Sequence, residues 1–153
     1  VRELCEQVSL AGQESVQQAG LSLALDIQPE AGRLLGDADL LHSTLSNLVD
    51  NAIKASSPGK AITLRASRED QNMVLTVTDQ GRGIPQDELP RLTQPFYRVD
   101  KARSRKLGGA GLGLALCRLV AQAHGGQLRI ESVLGQGTMV SLSLPQGETD
   151  ERA

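Results

Sequence analysis

Residues 40–54 read LLHSTLSNLVDNAIK, and this stretch decides the fold because its side chains divide between two faces of a helix. At about 100° per residue, the apolar side chains fall on one arc: Leu41, Leu45, Leu48, Val49, Ala52 and Ile53. The polar side chains fall on the opposite arc: Ser43, Asn47, Asp50, Asn51 and Lys54. The pattern predicts an amphipathic helix, capped by Asp37, whose apolar arc packs most simply on a sheet.

The polar face of this helix carries groups that suit a magnesium-bound phosphate. Asn47, Asn51 and Lys54 lie at i, i+4 and i+7, so two amides and an ammonium point the same way. An amide oxygen can ligate Mg²⁺, and a lysine complements phosphate. A solvated helix face gives the same pattern, so other stretches have to decide between the two interpretations.

A carboxylate ends one of the predicted strands. Alternating residues over 62–66 and 73–78 predict an antiparallel hairpin, and Asp79 has the parity of Leu75 and Val77. That parity places Asp79 on the face turned toward the helices. A buried carboxylate without a donor is costly or becomes protonated. Asp79 therefore bonds amides of its own turn or receives a donor from a ligand.

The segment after Asp79 contains a glycine turn and a long basic loop. Gly81 and Gly83 permit positive φ and allow a flat ring to approach the backbone. Residues 93–108 lack helical and strand periodicity, include the only aromatic residues, Phe96 and Tyr97, and carry five cations: Arg98, Lys101, Arg103, Arg105 and Lys106. Such a loop is typical of a segment that closes over an anion, although a solvated basic loop has the same composition.

A glycine-rich run, residues 108–113, opens a second predicted helix. The apolar face of this helix is predicted to comprise Leu112, Leu116, Leu119, Val120 and Ala123, and Gly125-Gly126 ends it. Backbone N–H groups at such a helix start can cradle a phosphate, whereas a flexible connection is the alternative. A dinucleotide fingerprint has G-x-G-x-x-G directly after a strand, whereas these glycines stand at 109, 111 and 113 after a charged loop. A Walker A loop requires Gly-Lys-Ser/Thr, and the only Gly-Lys pair is followed by Ala61.

A hydroxyl ends another strand on the inner side. Residues 128–133 and 138–144 alternate as a second hairpin around a turn at 134–137. Thr138 shares the parity of Val140 and Leu142. A hydroxyl and the Asp79 carboxylate are therefore both expected at strand ends that face the helices.

The rest of the chain adds four predicted elements to one α/β domain. They are a helix over 1–19, a half-buried strand over 21–27, a short strand over 33–36 and a short helix over 86–92. A chain of 153 residues is long enough for one real core.

Composition excludes several classes of function. The net charge is −2, and no basic stripe alternates with aromatics, so nucleic acid is not an expected partner. Cys5 and Cys117 lack metal-ligand spacing and suit a reducing compartment. No apolar run approaches roughly 20 residues, so no membrane segment is expected in this chain.

Five motifs in order carry a family resemblance. They are NLVDNAIK (47–54), DQGRGIP (79–85), PFYRVD (95–100), GGAGLGLA (108–115) and GQGT (135–138). The series resembles the ATP-binding catalytic domain of bacterial sensor histidine kinases, within the superfamily that includes gyrase, mismatch-repair and heat-shock-chaperone ATPases.

The resemblance implies a fold and a ligand. The fold is a two-layer α/β sandwich of the Bergerat type, with a mixed, mostly antiparallel sheet covered on one face by helices, over residues 1–146 and followed by a flexible tail over 147–153. ATP and Mg²⁺ are the implied cofactors. Asp79 would accept the adenine amino group, with Gly83 and Thr138 beside it, and Asn51 would coordinate Mg²⁺, with Asn47 and Lys54 near the phosphates. The other implied nucleotide-binding residues are Gly81, Phe96, Tyr97, Arg98, Gly109, Gly111, Leu112 and Gly113.

The implied activity needs a second domain. The family transfers the γ-phosphoryl group to a histidine on a dimerisation domain, and a response regulator then receives it. Neither His42 nor His124 matches the phosphoacceptor pattern, so no catalytic residue is expected in this chain and the fragment alone is not expected to complete transfer. The resemblance also implies a cytoplasmic location, at the cytoplasmic end of an inner-membrane sensor.

Two positions depart from the family pattern. Ala55 stands where many members have an aromatic residue, which weakens the expected hold on the nucleotide. Asn47 stands where self-hydrolysing relatives have a glutamate, so rapid intrinsic hydrolysis is not expected. An anti-sigma-type serine protein kinase and a non-catalytic interaction module of the same fold are the alternatives.

Overall fold

The computed structural model describes residues 1–91 and 113–146. In these residues the strands form a single sheet and the helices pack against it. The helices are α1 (Arg2–Gln18), α2 (Ala38–Ala55) and α3 (Gly113–Ala123). The strands are β1 (Ser22–Ile27), β2 (Ala61–Glu69), β3 (Asn72–Asp79), β4 (Gln127–Val133) and β5 (Gly137–Pro145). Two 3₁₀ helices span Pro29–Ala31 and Gln86–Arg91.

Helix α2 forms as its two-faced sequence predicts. The side chain of Asp37 accepts a hydrogen bond from the Leu40 amide at 3.0 Å, which confirms the predicted cap. The predicted apolar arc is buried at Leu41, Leu45, Leu48, Val49 and Ala52, and Ile53 packs partly buried against the same core. Full burial of a leucine or valine side chain contributes about 1.5–3 kcal/mol, so the four such residues on this face fix how α2 lies on the sheet.

The described strands form a five-stranded mixed sheet in the order β1-β2-β3-β5-β4. Strands β1 and β2 pair in parallel, and the other neighbours pair antiparallel. The inner face is aliphatic and buried, with Ile62, Leu64, Met73, Leu75, Val77, Leu142 and Leu144 at 0–2% exposure. The outer face is polar, and hydroxyls of Thr76 and Ser141 meet on it at 3.2 Å. The predicted fold class and both hairpins are confirmed.

The prediction of a short strand at residues 33–36 is wrong. This segment forms no strand, and its backbone is held by side chains of distant residues instead. The Leu35 amide donates to Gln146 Oε1 at 2.7 Å, and Arg68 donates to the Arg33 carbonyl at 3.0 Å. Gly32, at φ 61°, adopts a backbone conformation outside the extended region directly before this segment.

The apolar face predicted for α3 is also wrong at most of its positions. Leu116 and Leu119 are 52% and 59% exposed, and Ala123 is exposed as well, whereas Ala115, Cys117 and Ala121 are buried. Val120 is partly buried, and Leu112 lies outside the described residues. Nearly every side chain of α3 is apolar, so periodicity could not select the buried arc. The buried arc faces α2 at Cys117, whose Sγ lies 3.8 Å from the Thr44 carbonyl.

The remaining predicted elements agree with the structure. Helix α1 and strand β1 lie within their predicted ranges, and Gly125, at φ 76°, follows the end of α3. The short helix predicted at 86–92 is a 3₁₀ helix that spans Gln86–Arg91. In the described part of the chain, no helix has both the length and the apolar character needed to cross a membrane.

Candidate functional site

Three polar side chains lie side by side across the ends of three strands. Asp79 on β3 is directly opposite Thr138 on β5, and Thr138 is directly opposite Ser132 on β4. Directly paired residues project from the same face of a sheet, so this row belongs to the inner face. Asp79 and Ser132 are only 8% and 7% exposed. The predicted inward placement of Asp79 and Thr138 is confirmed.

The two oxygens of the Asp79 carboxylate have different surroundings. Oδ1 accepts hydrogen bonds from the Gly81 amide at 2.8 Å and from the Thr138 amide at 3.2 Å. Oδ2 accepts from none of the described residues. The bonds to Oδ1 fix the carboxylate in one orientation and leave Oδ2 as an oriented acceptor.

The electrostatics of Asp79 favour a ligand that donates. Burial raises the pKa of Asp79 above its ordinary value, because desolvation penalises the charged form. The amide hydrogen bonds from Gly81 and Thr138 and the nearby Arg82 guanidinium act in the opposite direction and lower the pKa. Since desolvation is the largest contribution, an N–H donor at Oδ2 would stabilise a charge that the protein alone stabilises incompletely.

The glycine turn after β3 is clamped between α2 and the β4–β5 turn. The Arg82 amide donates to the Ala55 carbonyl at 3.2 Å, and the Gly135 amide donates to the Arg82 carbonyl at 2.6 Å. A Cβ on Gly81 would collide with the Ala55 carbonyl, and one on Gly83, at φ 73°, would collide with a backbone carbonyl of β4. The sequence permits a positive φ at both glycines, and of the two only Gly83 adopts it. The structure adds that both glycines allow close backbone packing.

The polar face of α2 presents three predicted residues in different situations. Asn47 donates to the Gly113 carbonyl at 3.5 Å, so it joins α2 to the start of α3. The Lys54 ammonium lies 3.1 Å from the Asp50 carboxylate one turn earlier. The half-buried Asn51 amide bonds to none of the described residues. Asn51 is therefore the member of this set whose side chain is engaged by none of the described residues, through either its oxygen or its nitrogen.

Not all of the predicted site residues can be compared with the structure. Phe96, Tyr97, Arg98, Gly109, Gly111 and Leu112 lie outside the described residues. Gly113 is described, and a Cβ there would lie 3.1 Å from the Asn47 amide. The structure therefore brings Gly113, the last glycine of the second glycine motif, against the asparagine helix, and it brings Asp79, Gly81 and Thr138 together at the strand ends.

Sequence reasoning missed two residues that build the site. The Ser132 hydroxyl accepts a hydrogen bond from the Ile84 amide and lies 2.8 Å from the Thr138 hydroxyl, so Ser132 joins three segments of the site. Arg82 donates from its side chain to the Lys54 carbonyl at 3.3 Å. The alternation along β4 was a usable signal for Ser132, because its parity with Ile130 places it on the inner face.

A comparison with protein families decides the assignment. Residues 36–148 match the model of the histidine kinase-, DNA gyrase B- and HSP90-like ATPases. The chain belongs to this ATPase family. The match includes α2, the whole sheet except β1, and every residue of the Asp79–Thr138–Ser132 row.

Curated relatives of this ATPase domain are sensor kinases. The chain is 41% identical over 117 residues to the sensor histidine kinase WalK of Bacillus subtilis, which covers 75% of this chain and 19% of WalK. It is 42% identical over 129 residues to the sensor-like histidine kinase SenX3 of Mycolicibacterium smegmatis, covering 81% of this chain and 34% of SenX3. The chain thus spans about a third or less of these relatives.

Solved structures agree with the fold of the ATPase domain. The catalytic domain of histidine kinase ThkA superposes with a TM-score of 0.84 at 22% identity, covering 95% of this chain and 92% of that one. A mycobacterial sensor histidine kinase, MprB, superposes with a TM-score of 0.77 at 28% identity and 93% coverage of both chains.

His124 has a structural role in this ATPase domain. Its Nδ1 lies 2.8 Å from the Val120 carbonyl and its Nε2 lies 3.1 Å from the Asp37 amide. The first contact requires a proton on Nδ1, and the second requires a lone pair on Nε2, so the ring is the neutral Nδ1–H tautomer. His124 thereby ties the end of α3 to the start of α2.

Proposed function

We propose that this chain is the ATP-binding catalytic domain, residues 1–146, of a two-component sensor histidine kinase. The observation that carries the proposal is the Asp79 carboxylate, which is buried, fixed through Oδ1 and left with Oδ2 as an acceptor. An exocyclic amino group of adenine supplies the N–H that this oxygen lacks. Membership of the ATPase family supports the same ligand.

The base would lie against the strand ends beside the glycine turn. Asp79 accepts from the amino group and Thr138 lies beside it, while Gly81 and Gly83 allow the turn to pack closely against the Ala55 carbonyl and β4. Phe96, Tyr97, Arg98, Gly109, Gly111 and Leu112 complete the proposed nucleotide site from the segment outside the described residues.

Asn51 would hold the metal ion. Its amide bonds to no described residue, and a single neutral oxygen suits Mg²⁺, which keeps several waters and takes its other ligands from phosphate. When bound, Mg²⁺ offsets the negative charge of the phosphates. Lys54 lies one turn further along α2 and already pairs with Asp50, so it would approach the phosphates by leaving that pair.

The phosphoryl acceptor would be a histidine on a dimerisation domain outside this chain. Asn47 stands where self-hydrolysing relatives have a glutamate that activates water, so bound ATP would be kept rather than hydrolysed. ThkA has been solved in complex with its response regulator protein TrrA, which supports a response regulator as the downstream partner. The proposed location is the cytoplasmic end of a membrane sensor.

Calorimetric titration tests nucleotide binding directly. The folded chain is titrated with a non-hydrolysable ATP analogue in the presence of Mg²⁺, and the expected dissociation constant is below roughly 1 mM. Asp79→Asn is expected to lose most of this affinity, whereas Ser141→Ala, a hydroxyl deletion on the outer face, is expected to keep it. No heat of binding to a folded wild-type chain would overturn the proposal.

Phosphotransfer needs a second experiment. The chain is mixed with a histidine-bearing dimerisation domain of a relative and γ-labelled ATP. The expected product is a phosphoramidate on histidine, which is lost in acid and survives in base. A label that survives in acid would indicate a phosphoserine and would contradict the histidine kinase assignment.

A further inference from the structure

The Ser132 hydroxyl is surrounded by three groups with which it can bond. The Ile84 amide donates to Ser132 Oγ at 2.8 Å. The Gly137 carbonyl lies 2.8 Å from Oγ, and the Thr138 hydroxyl lies 2.8 Å from it as well. These contacts join the glycine turn, the β4–β5 turn and the strand-end row at one side chain that is 7% exposed.

Counting protons fixes the direction of each bond. A serine hydroxyl has one hydrogen to donate and two lone pairs to accept with. The Gly137 carbonyl can only accept, so the Ser132 hydrogen goes to it. The Ile84 amide can only donate, so it fills one lone pair of Oγ. The remaining lone pair faces Thr138, whose hydroxyl must then donate its own hydrogen to Ser132.

This arrangement leaves the Thr138 hydroxyl able only to accept a hydrogen bond from a ligand. Its hydrogen is engaged with Ser132, and only its lone pairs remain. Asp79 Oδ2, on the directly opposite residue, is likewise an acceptor. The base end of the site therefore presents two acceptors and, from these two side chains, no donor.

We propose that Ser132 sets the base specificity of the nucleotide site by holding the Thr138 hydroxyl as an acceptor. The inference rests on the proposed nucleotide-binding function. A 6-amino purine offers N–H donors to both acceptors. A 6-oxo purine instead places its oxygen against them, and the site rejects it because buried polar groups are then left unpaired. Ser132 is a positioning residue, since it acts on the ligand through Thr138.

The test compares two nucleotides that differ at this end of the base, ADP and IDP, on the complete chain. Wild type is expected to bind ADP at least about tenfold more tightly than IDP. Ser132→Ala frees the Thr138 hydrogen to meet the 6-oxo group, so the IDP-to-ADP ratio of dissociation constants is expected to shrink by about fivefold. Ser132→Thr keeps a hydroxyl and is expected to restore the wild-type ratio.

Two controls separate specificity from loosening of the site. In Ser132→Ala/Thr138→Val no hydroxyl remains to donate, so the improvement in relative IDP binding is expected to disappear. Ser141→Ala removes a paired hydroxyl from the outer face of β5 and is expected to leave the ratio unchanged. Where Ser132→Ala does not fold, Ser132→Cys, a much weaker acceptor, carries the same expectation.

The outcomes distinguish this inference from the function on which it rests. A Ser132→Ala protein that loses affinity for ADP and IDP by the same factor has only a looser site, and that result overturns the specificity role. A wild-type chain that binds neither nucleotide overturns the proposed function itself.

Discussion

Replacing Asp79 with asparagine separates what this residue does for a ligand from what it does for the fold. The amide oxygen of the variant takes the place of Oδ1, because the Gly81 and Thr138 amides both require an acceptor there. The NH₂ group then takes the place of Oδ2. An acceptor that faces the ligand thus becomes a donor with little change of shape.

The expected loss of binding follows from that single exchange. A hydrogen bond to a charged group is worth about 1.5–3 kcal/mol, and two donors facing each other add a cost of similar sign. The variant should lose at least about 2 kcal/mol, which is roughly a 30-fold rise in the dissociation constant for an adenine nucleotide. Calorimetric titration with ADP measures this change, and Ser141→Ala is the matched control.

The free energy of unfolding of the unliganded variant should not fall as its affinity does. Burial raises the pKa of Asp79, so between the ordinary pKa of a carboxyl group and this raised value the folded chain binds more protons than the unfolded chain. Wild-type stability therefore falls as pH rises through that window. At neutral pH the melting temperature of Asp79→Asn should equal or exceed that of wild type, and the difference should shrink on acidification.

Two results would refute this reasoning about Asp79. One is a variant that binds ADP with wild-type affinity, because Oδ2 then has no role toward the ligand. The other is a variant that is destabilised at neutral pH by several degrees, because the carboxylate charge would then be a net contributor to folding.

Three further predictions follow from the site and the core. Asn51→Ala should remove the enhancement of ADP binding by Mg²⁺, measured as the ratio of dissociation constants with and without a chelator, and a wild-type ratio would contradict the metal role. Gly83→Ala should lower the melting temperature by several degrees more than Gly59→Ala, because both have positive φ but only the former meets backbone atoms, and equal losses in thermal melts would contradict the packing argument. Burial raises the pKa of Cys5 to about 11 and that of Cys117 to about 12, so both thiols should react with a disulfide reagent at pH 8 only as the chain unfolds, and rapid labelling of the native chain would contradict that expectation.

Periodicity predicted the parts of the fold in which polar and apolar residues alternate clearly. Helix α2 divides its polar and apolar residues between two arcs, and β3 divides them between two faces, so the helix, the hairpin and the inward carboxylate of Asp79 followed from sequence. Periodicity failed at α3, where apolar residues surround the helix and Leu116 and Leu119 remain exposed. It also failed at residues 33–36, where the partners are side chains from distant parts of the chain.

Some features of the candidate site likewise follow from the local sequence pattern, and others depend on tertiary contacts. The sequence by itself predicted which residues would bind a nucleotide, because the five motifs state the residue types and their order. Only the tertiary structure decided that Asp79 Oδ1 is engaged, that Asn51 keeps a free amide among the described residues and that Ser132 joins three segments. The physical reason is that hydrogen-bond direction depends on which groups meet in space, and strands β3, β4 and β5 bring together residues more than fifty positions apart.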